Sequence, residues 1–299
     1  MSDKNSGNSR NPLHGLWALT NRELKKWYKN PFLLFMSILQ PIIWMGLFGK
    51  AMNLGAVFTN FNPTLPPTVP VEVRPLIEQA MSELSKQLLV DTFGTQDYFS
   101  YMSVGILTFV VLFTTMFSGI SIVWDRRLGF LNKVLSTPVA RGSIIMSKVL
   151  SAVMRSLLQA AIILGFASLL GLTPSATFSP INLLGVFAAL FLISIGLSAI
   201  FILIAIRSTR WETQMAVMNL LNLPLLFSSN TLFPIHLMPD WLQTVARVNP
   251  ITYVNDATRQ LILYELDMQK LLFDFTYLGV FALVFTSIGI LLSWKYLTR

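Results

Sequence analysis

Long runs without a charged residue constrain this chain more than any other feature. Phe32–Gly49, Phe99–Trp124, Ile181–Ile206, Thr213–Phe227 and Phe275–Trp294 hold no Asp, Glu, Lys or Arg, and Ile144–Leu172 holds only Lys148 and Arg155. As a helix, the run from 99 to 124 reaches roughly 39 Å, enough to cross a bilayer with some tilt. In hydrocarbon every backbone N–H and C=O needs an internal partner, which leaves the α-helix as the structure for each run. The sequence is therefore read as an all-α integral membrane protein with six transmembrane helices. They are placed at about 31–50, 99–124, 144–172, 181–206, 213–228 and 274–294. Pro41 lies inside the first and is expected to kink it.

The segments between spans divide by charge. Fifteen basic residues fall in the termini and in the loops on the terminal side, six in the two long opposite segments, and Arg155 stays within a span. The positive-inside bias makes both termini cytoplasmic, in the cell membrane. The overall formal charge of +8 thus reflects membrane topology and not a nucleic-acid partner. Only 12% of residues are charged and 54% are hydrophobic, against about 25% charged in soluble proteins. There is no cysteine, and the two histidines, His14 and His236, have no nearby ligand partners. Disulfide frameworks and thiolate metal sites are excluded.

Residues 1–12 are expected to be a disordered N-terminus, polar and without the apolar core of a signal sequence. Residues 13–29 read as an interfacial amphipathic helix. Leu13, Leu16, Trp17, Leu24, Trp27 and Tyr28 share one face, and Arg22, Lys25, Lys26 and Lys29 the other, directed at anionic headgroups. Residues 30–299 form the transmembrane domain. Its external loop, 51–98, starts with Pro63, Pro66, Pro67, Pro70 and Pro75 and continues into a helix with Leu76, Ile77, Ala80, Met81, Leu84 and Leu88 on its packing face. A second external segment, 229–272, is broken by Pro234, Pro239 and Pro250. It reads as a re-entrant-like hairpin of two short helices, Asp240–Val248 and Ile251–Leu263, with Trp241, Leu242, Val245 and Val248 lining one face of the first.

The loop Trp124–Lys148 has structure of its own. Leu128, Leu131, Val134 and Leu135 recur at helical spacing, Pro138 disfavours helix at Thr137, and Ser143 can cap the helix that follows. A short helix exposed at the cytoplasmic end of two spans is a docking handle for another protein. Arg155, about 10 Å along the helix from Lys148, is expected to snorkel toward that surface; the sharper alternative is an ion pair with Asp125 or another acidic residue near that surface. Phe109, Phe113 and Phe117 repeat every fourth residue and make an aromatic stripe, used either for packing or, less simply, for lining a substrate path.

Several chemistries are missing. There is no G-x-x-x-x-G-K-[ST] loop, no H-E-x-x-H and no G-x-S-x-G. The spans lack the carboxylates and histidines of ion-coupled carriers and the nucleophile–base sets of intramembrane hydrolases. The chain has a cytoplasmic handle but no energy source, which implies a membrane subunit driven by a partner. The competing readings are an energy-independent channel or lipid scramblase, and a membrane enzyme or sensor using the outer loops.

Two stretches resemble a known family. DRRLGFLNKVLSTPVARGSIIMSKVL follows the second span, and LFPIHLMPDWLQTVARVNPITYVNDATRQL precedes the last. With Pro234, Pro239, Trp241, Asn249, Pro250, Asp256 and Arg259 in order, the sequence resembles the type-2 ABC exporter permeases, which serve drug resistance and polysaccharide or lipo-oligosaccharide export. Members often carry Ser-Gly before the first of these prolines; here the chain reads Ser229-Asn230-Thr231. The resemblance implies a homodimer in the bilayer with two copies of a P-loop ATPase subunit. ATP and Mg would be held by that partner, with no cofactor, metal or catalytic residue on this chain. It implies a coupling helix seated on the ATPase, with Asp125, Arg126, Arg127, Leu128, Gly129, Phe130, Leu131 and Leu135 as coupling residues. The helix bearing Trp17, Arg22, Lys25, Lys26 and Trp27 would lie beside it. The implied activity is outward movement of a hydrophobic, lipid or glycan-type substrate.

Overall fold

The protein was analysed as a computed structural model that describes residues 12–51, 70, 73–137, 141–208 and 210–296. Of the expected disordered segment 1–12, Pro12 begins a helix and the rest lies outside the described residues, as do Pro63, Pro66 and Pro67 of the external loop and Pro138. All regular structure among the described residues is helical. Helix α1 (Pro12–Tyr28) leads through Asn30 into α2 (Pro31–Trp44). The Asn30 side chain accepts from Leu33 N at 3.2 Å, and Pro31 sits at the first turn, where its missing N–H costs nothing. Past Pro41 the helix widens into π-type turns over Met45–Ala51. The kink expected at Pro41 thus takes the form of a looser continuation, with Met45 N shared between the carbonyls of Pro41 and Ile42.

Helix α3 (Arg74–Phe93) belongs to the external loop and ends on Gly94, whose φ of 69° lets the chain turn sharply into α4 (Tyr98–Arg127). The packing face of α3 agrees with expectation at Ile77 and Met81, which are half-buried, and differs elsewhere. Ser85, Leu89 and Phe93 are buried, while Leu76, Leu84 and Leu88 are exposed. Asp97 caps α4 by accepting from Ser100 N and its hydroxyl, and its second oxygen takes the hydroxyl of Thr173 at 2.8 Å. The loop after the third span is thereby tied to the start of α4.

Helix α4 ends at Arg127. Gly129, at φ 69°, reverses the chain into α5 (Phe130–Leu135). The short helix therefore starts two residues later than the periodicity from Leu128 implies, and Leu128 is 71% exposed at the corner. Helix α6 (Arg141–Leu169) is already under way at Ser143, which does not cap it. Helices α7 (Asn182–Arg207), α8 (Trp211–Phe227), α9 (Asp240–Ala246), α10 (Pro250–Ile262) and α11 (Met268–Tyr296) complete the chain. Helix α11 begins about six residues before the expected last span because Asp267 accepts from the backbone N–H of Gln269 and Lys270.

Helices α4 and α7 form the centre, packed on one another and flanked by α6, α10 and α11. Leu107, Leu112, Leu190, Ile193 and Phe201 are fully buried there. Gly119 permits the close crossing: a Cβ in its place would stand 2.5 Å from the Phe201 carbonyl oxygen. A second apolar cluster sits at the α5 end of the bundle and includes Ile122, Leu131, Val134, Ile145 and Ile202. Five helical segments among the described residues are long and apolar enough to cross a membrane. Helix α8, the expected fifth span, has 17 residues and falls just short of that length.

Candidate functional site

The α5 end of the bundle gathers most of the buried charge. Asp125 is in the last turn of α4, Lys148 is two turns into α6, and Glu23 lies on the polar side of α1; all three are at most 5% exposed. The Lys148 ammonium contacts Asp125 Oδ2, lies 3.1 Å from Glu23 Oε1 and donates to Ser121 Oγ at 2.7 Å. Ser121 in turn donates to Glu23 Oε2 at 2.9 Å. From the rim, Lys26 reaches Glu23 at 2.9 Å and Asp125 at 3.0 Å, and Arg22 reaches Glu23 at 2.8 Å and Asp125 at 3.3 Å. Two carboxylates and three cations from three helices thus share one knot. Such a cluster fixes geometry more than it adds stability, because desolvation offsets much of the Coulombic gain. Burial works to raise the Glu23 pKa, but the ammonium groups of Lys148 and Lys26 outweigh burial and the opposing Asp125 charge, so it lies below its usual 4.5.

The short helix is attached to this knot. The Arg22 guanidinium lies 3.3 Å over the Phe130 ring, a cation–π contact between α1 and the first residue of α5. Arg126 donates to the carbonyls of Ile206 at 2.8 Å and Ser208 at 3.2 Å, closing the open C-terminus of α7. Trp124 stacks with Trp211 at 6.4 Å, joining the start of α8 to the same corner. Helix α5 is thus in contact with α1 through Phe130 and Arg22, and the corner before it with α7 and α8 through Arg126 and Trp124.

The predicted coupling residues divide into two groups. Arg127 and Leu128 are exposed, with Asn132 and Lys133 beside them on α5. Asp125 and Leu131 are turned inward, Asp125 into the ion cluster and Leu131 into the apolar cluster. Phe130 and Leu135 are half-buried, and Gly129 is the corner itself. On α1, Trp17 and Lys25 are exposed and Trp27 half-buried. Arg22 and Lys26, expected to face headgroups, instead turn in toward Asp125. Two members of the ion cluster, Glu23 and Lys148, were not among the predicted site residues. Glu23 is the one acidic residue in a basic stretch, and that isolation was the available signal. Arg155 does not pair with Asp125; it donates from Nε to the Ser151 carbonyl at 3.2 Å.

The aromatic stripe lines a cavity of about 260 Å³ between α1, α2, α4 and α6. Phe109 and Phe113 are 4.4 Å apart between centroids, and Phe117 is 46% exposed at the rim. Arg155, Gln159 and Trp27 share the cavity with them.

The opposite end carries a polar lock. Arg259, 1% exposed, donates to the carbonyls of Asn230 at 2.8 Å, Thr231 at 2.9 Å and Tyr101 at 3.3 Å, with its plane 3.6 Å over the Tyr101 ring. Asn230 donates to Asp256 at 2.6 Å, and Asn255 donates to Asn230 and Thr231. Asn249 caps α10 and donates to the Leu225 carbonyl at 2.7 Å. The Ser229-Asn230-Thr231 segment is a tight turn whose carbonyls converge on Arg259, and α10 is nearly all buried. On the first helix of the hairpin Trp241 and Val248 are about 70% exposed.

Comparison with known proteins bears on the same segments. The ABC-2 type transporter family profile matches residues 14–263, which include α1, the α5 corner and the Arg259 lock. A transport permease ycf38 of Cyanophora paradoxa is 30% identical over 292 residues, covering 94% of this chain and 88% of that protein. The protein of the same name from Pyropia yezoensis is 28% identical, covering 82% of this chain and 72% of its own length. The daunorubicin resistance ABC transporter permease protein DrrB1 of Streptomyces coeruleorubidus is 23% identical, covering 56% of this chain and 59% of that protein. With a profile over most of the chain and a relative matched nearly end to end, the chain belongs to the ABC-2 type transporter family, as a multi-pass membrane permease.

Proposed function

We propose that this chain is the membrane-spanning subunit of an ATP-driven exporter. In this reading it acts as a homodimer with two copies of a separate P-loop ATPase, which holds ATP and Mg. It moves a hydrophobic, lipid or glycan-type substrate outward across the cell membrane. The observation that carries the reading is the attachment of α5 to α1. An exposed helical corner, with Arg127, Leu128 and Lys133 outward, is fastened through Phe130 and Arg22 to a buried charge knot that reaches three helices. A corner that only connected two spans would need no such fastening. ATPase closure would press on the corner, and the knot would carry that push to α1 and to the ends of α4 and α6.

The test uses the chain together with its ATPase in nanodiscs. Leu128→Asp puts a carboxylate on the exposed corner without touching the buried cluster. It is expected to abolish association with the ATPase while leaving thermal stability within about 0.5 kcal/mol of wild type, as for other surface changes. Undiminished ATPase binding by Leu128→Asp and by Lys133→Glu would reject the corner as the docking point. Flux in liposomes containing this chain alone would favour the energy-independent channel or scramblase instead.

A further inference from the structure

We infer that the cavity between α1, α2, α4 and α6 is a binding site for an anionic phospholipid, with Arg155 as the residue that takes its phosphate. The inference needs only that the chain sits in a bilayer; it does not depend on the transport reading. Its basis is a difference among the cations in and at the rim of the bundle. Lys148, Arg22 and Lys26 meet carboxylates, and Arg259 meets three carbonyl oxygens. The one hydrogen bond of Arg155 among the described residues runs from Nε to a carbonyl of its own helix, which leaves both terminal amines of the guanidinium to the cavity. No carboxylate lines that cavity, and Gln159 is already engaged by the Thr114 hydroxyl. Glu23 acts on Arg155 only through space, and no carboxylate among the described residues meets it within ion-pair distance; a guanidinium so held within a membrane span is costly, and the cost is relieved when an anion arrives from outside.

Charge and shape select the occupant. A basic pocket between transmembrane helices suits the phosphate of a lipid headgroup. Arg155 is about 10 Å along α6 from Lys148, and Trp27, near the end of the interfacial-type helix α1, lines the same cavity, as an amphipathic ring at headgroup level does. The other walls are Phe109, Phe113 and Phe117, which accept hydrocarbon. The cavity holds a phosphate and the upper part of an acyl chain. The remaining chain then lies along the exposed outer side of α2, where Leu33 is 52% and Met36 43% exposed.

Native mass spectrometry of the full chain, released from nanodiscs of phosphatidylglycerol mixed equally with phosphatidylcholine, tests the site. Wild type is expected to retain phosphatidylglycerol over phosphatidylcholine by about fivefold, the worth of one basic contact. Arg155→Gln should lose that preference and Arg155→Lys should keep most of it. Gln159→Glu, which supplies an internal counter-charge and leaves Arg155 in place, should lose it as well, so the inference stays testable if Arg155→Gln fails to fold. Equal retention of the two lipids by wild type would overturn it, as would an unchanged preference in Gln159→Glu. So would a lipid-free wild-type dimer cross-linked through α2, which would put a second copy of the chain over the cavity.

Discussion

Lys148 holds its place by being surrounded. Its ammonium has two carboxylates and a hydroxyl within reach and almost no water. Lys148→Met keeps the volume and removes the charge, leaving Asp125 and Glu23 buried with only Arg22 and Lys26 at the rim. Breaking one side of a buried pair costs about 3–5 kcal/mol, so a thermal melt in detergent should shift sharply downward, and a proteolytic site in α1 should open first. Glu23 gives the same joint a pH dependence. Its pKa is lower folded than unfolded, so its contribution is complete above the ordinary carboxylate value and is lost as pH falls through that value toward the depressed one. Stability should therefore decline below about pH 4.5, and Glu23→Gln should remove part of that decline; melts at pH 7 and pH 4 of the two proteins would measure it. Arg259 represents the other solution for a buried cation. Carbonyl dipoles surround it in place of carboxylates, so it fastens a turn instead of linking charged helices.

At the level of elements, the corner between α4 and α5 is set by Gly129. A Cβ there would meet nothing within 4 Å, so substitution acts only through the backbone. An L-residue held at φ 69° costs about 1 kcal/mol. Gly129→Ala should lower the melting temperature slightly but reduce substrate-stimulated ATPase activity in the reconstituted complex disproportionately, because it re-aims α5. Equal small losses in both would make the corner a mere connector. This glycine was visible in the sequence, but its left-handed turn was not, since Leu128 continues the apolar period of α5 and hid the break. The same ambiguity misplaced the face of α3. Leu76, Leu84 and Leu88 repeat at helical spacing as well as Ser85, Leu89 and Phe93 do, and only the tertiary contacts distinguish them. The helices themselves were legible because uncharged runs in a bilayer leave one backbone solution. The inward turn of Arg22 and Lys26 was not, because their partner Asp125 is about a hundred residues away in the chain. A basic face with a single local acid, Glu23, reads as a headgroup face until the fold supplies the second acid, Asp125.

Across the whole molecule, α8 fixes by its path the number of spans and the side of the Arg259 lock. Its length, 17 residues, argues weakly against a crossing, but its two ends are pinned to opposite ends of α4. Trp211 stacks on Trp124 at one end, and the Asn230 carbonyl, three residues past the helix, accepts from the Tyr101 hydroxyl at 2.8 Å at the other. Tyr101 and Trp124 are separated on α4 by about 35 Å of helix, slightly more than a hydrocarbon core of about 30 Å. Residues 211–230 follow α4 for about 28 Å of that distance, mostly as helix, with the Trp124, Trp211 and Tyr101 side chains closing the remainder, and we expect them to pass from one surface to the other. The turn after α8 and the polar lock then face the side opposite α5. The chain lacks cysteine, so single cysteines at Lys133, Arg210 and Asp240 give clean probes for a membrane-impermeant maleimide. In right-side-out vesicles the cysteine at 240 should label and those at 133 and 210 should not, and inverted vesicles should reverse the pattern. Labelling of 210 and 240 from the same side would leave α8 within one leaflet, reduce the crossings to five and put the two ends of the chain on opposite sides. The charge bias between inner and outer segments would then lose its meaning, because the positions it contrasts would no longer be separated by the membrane.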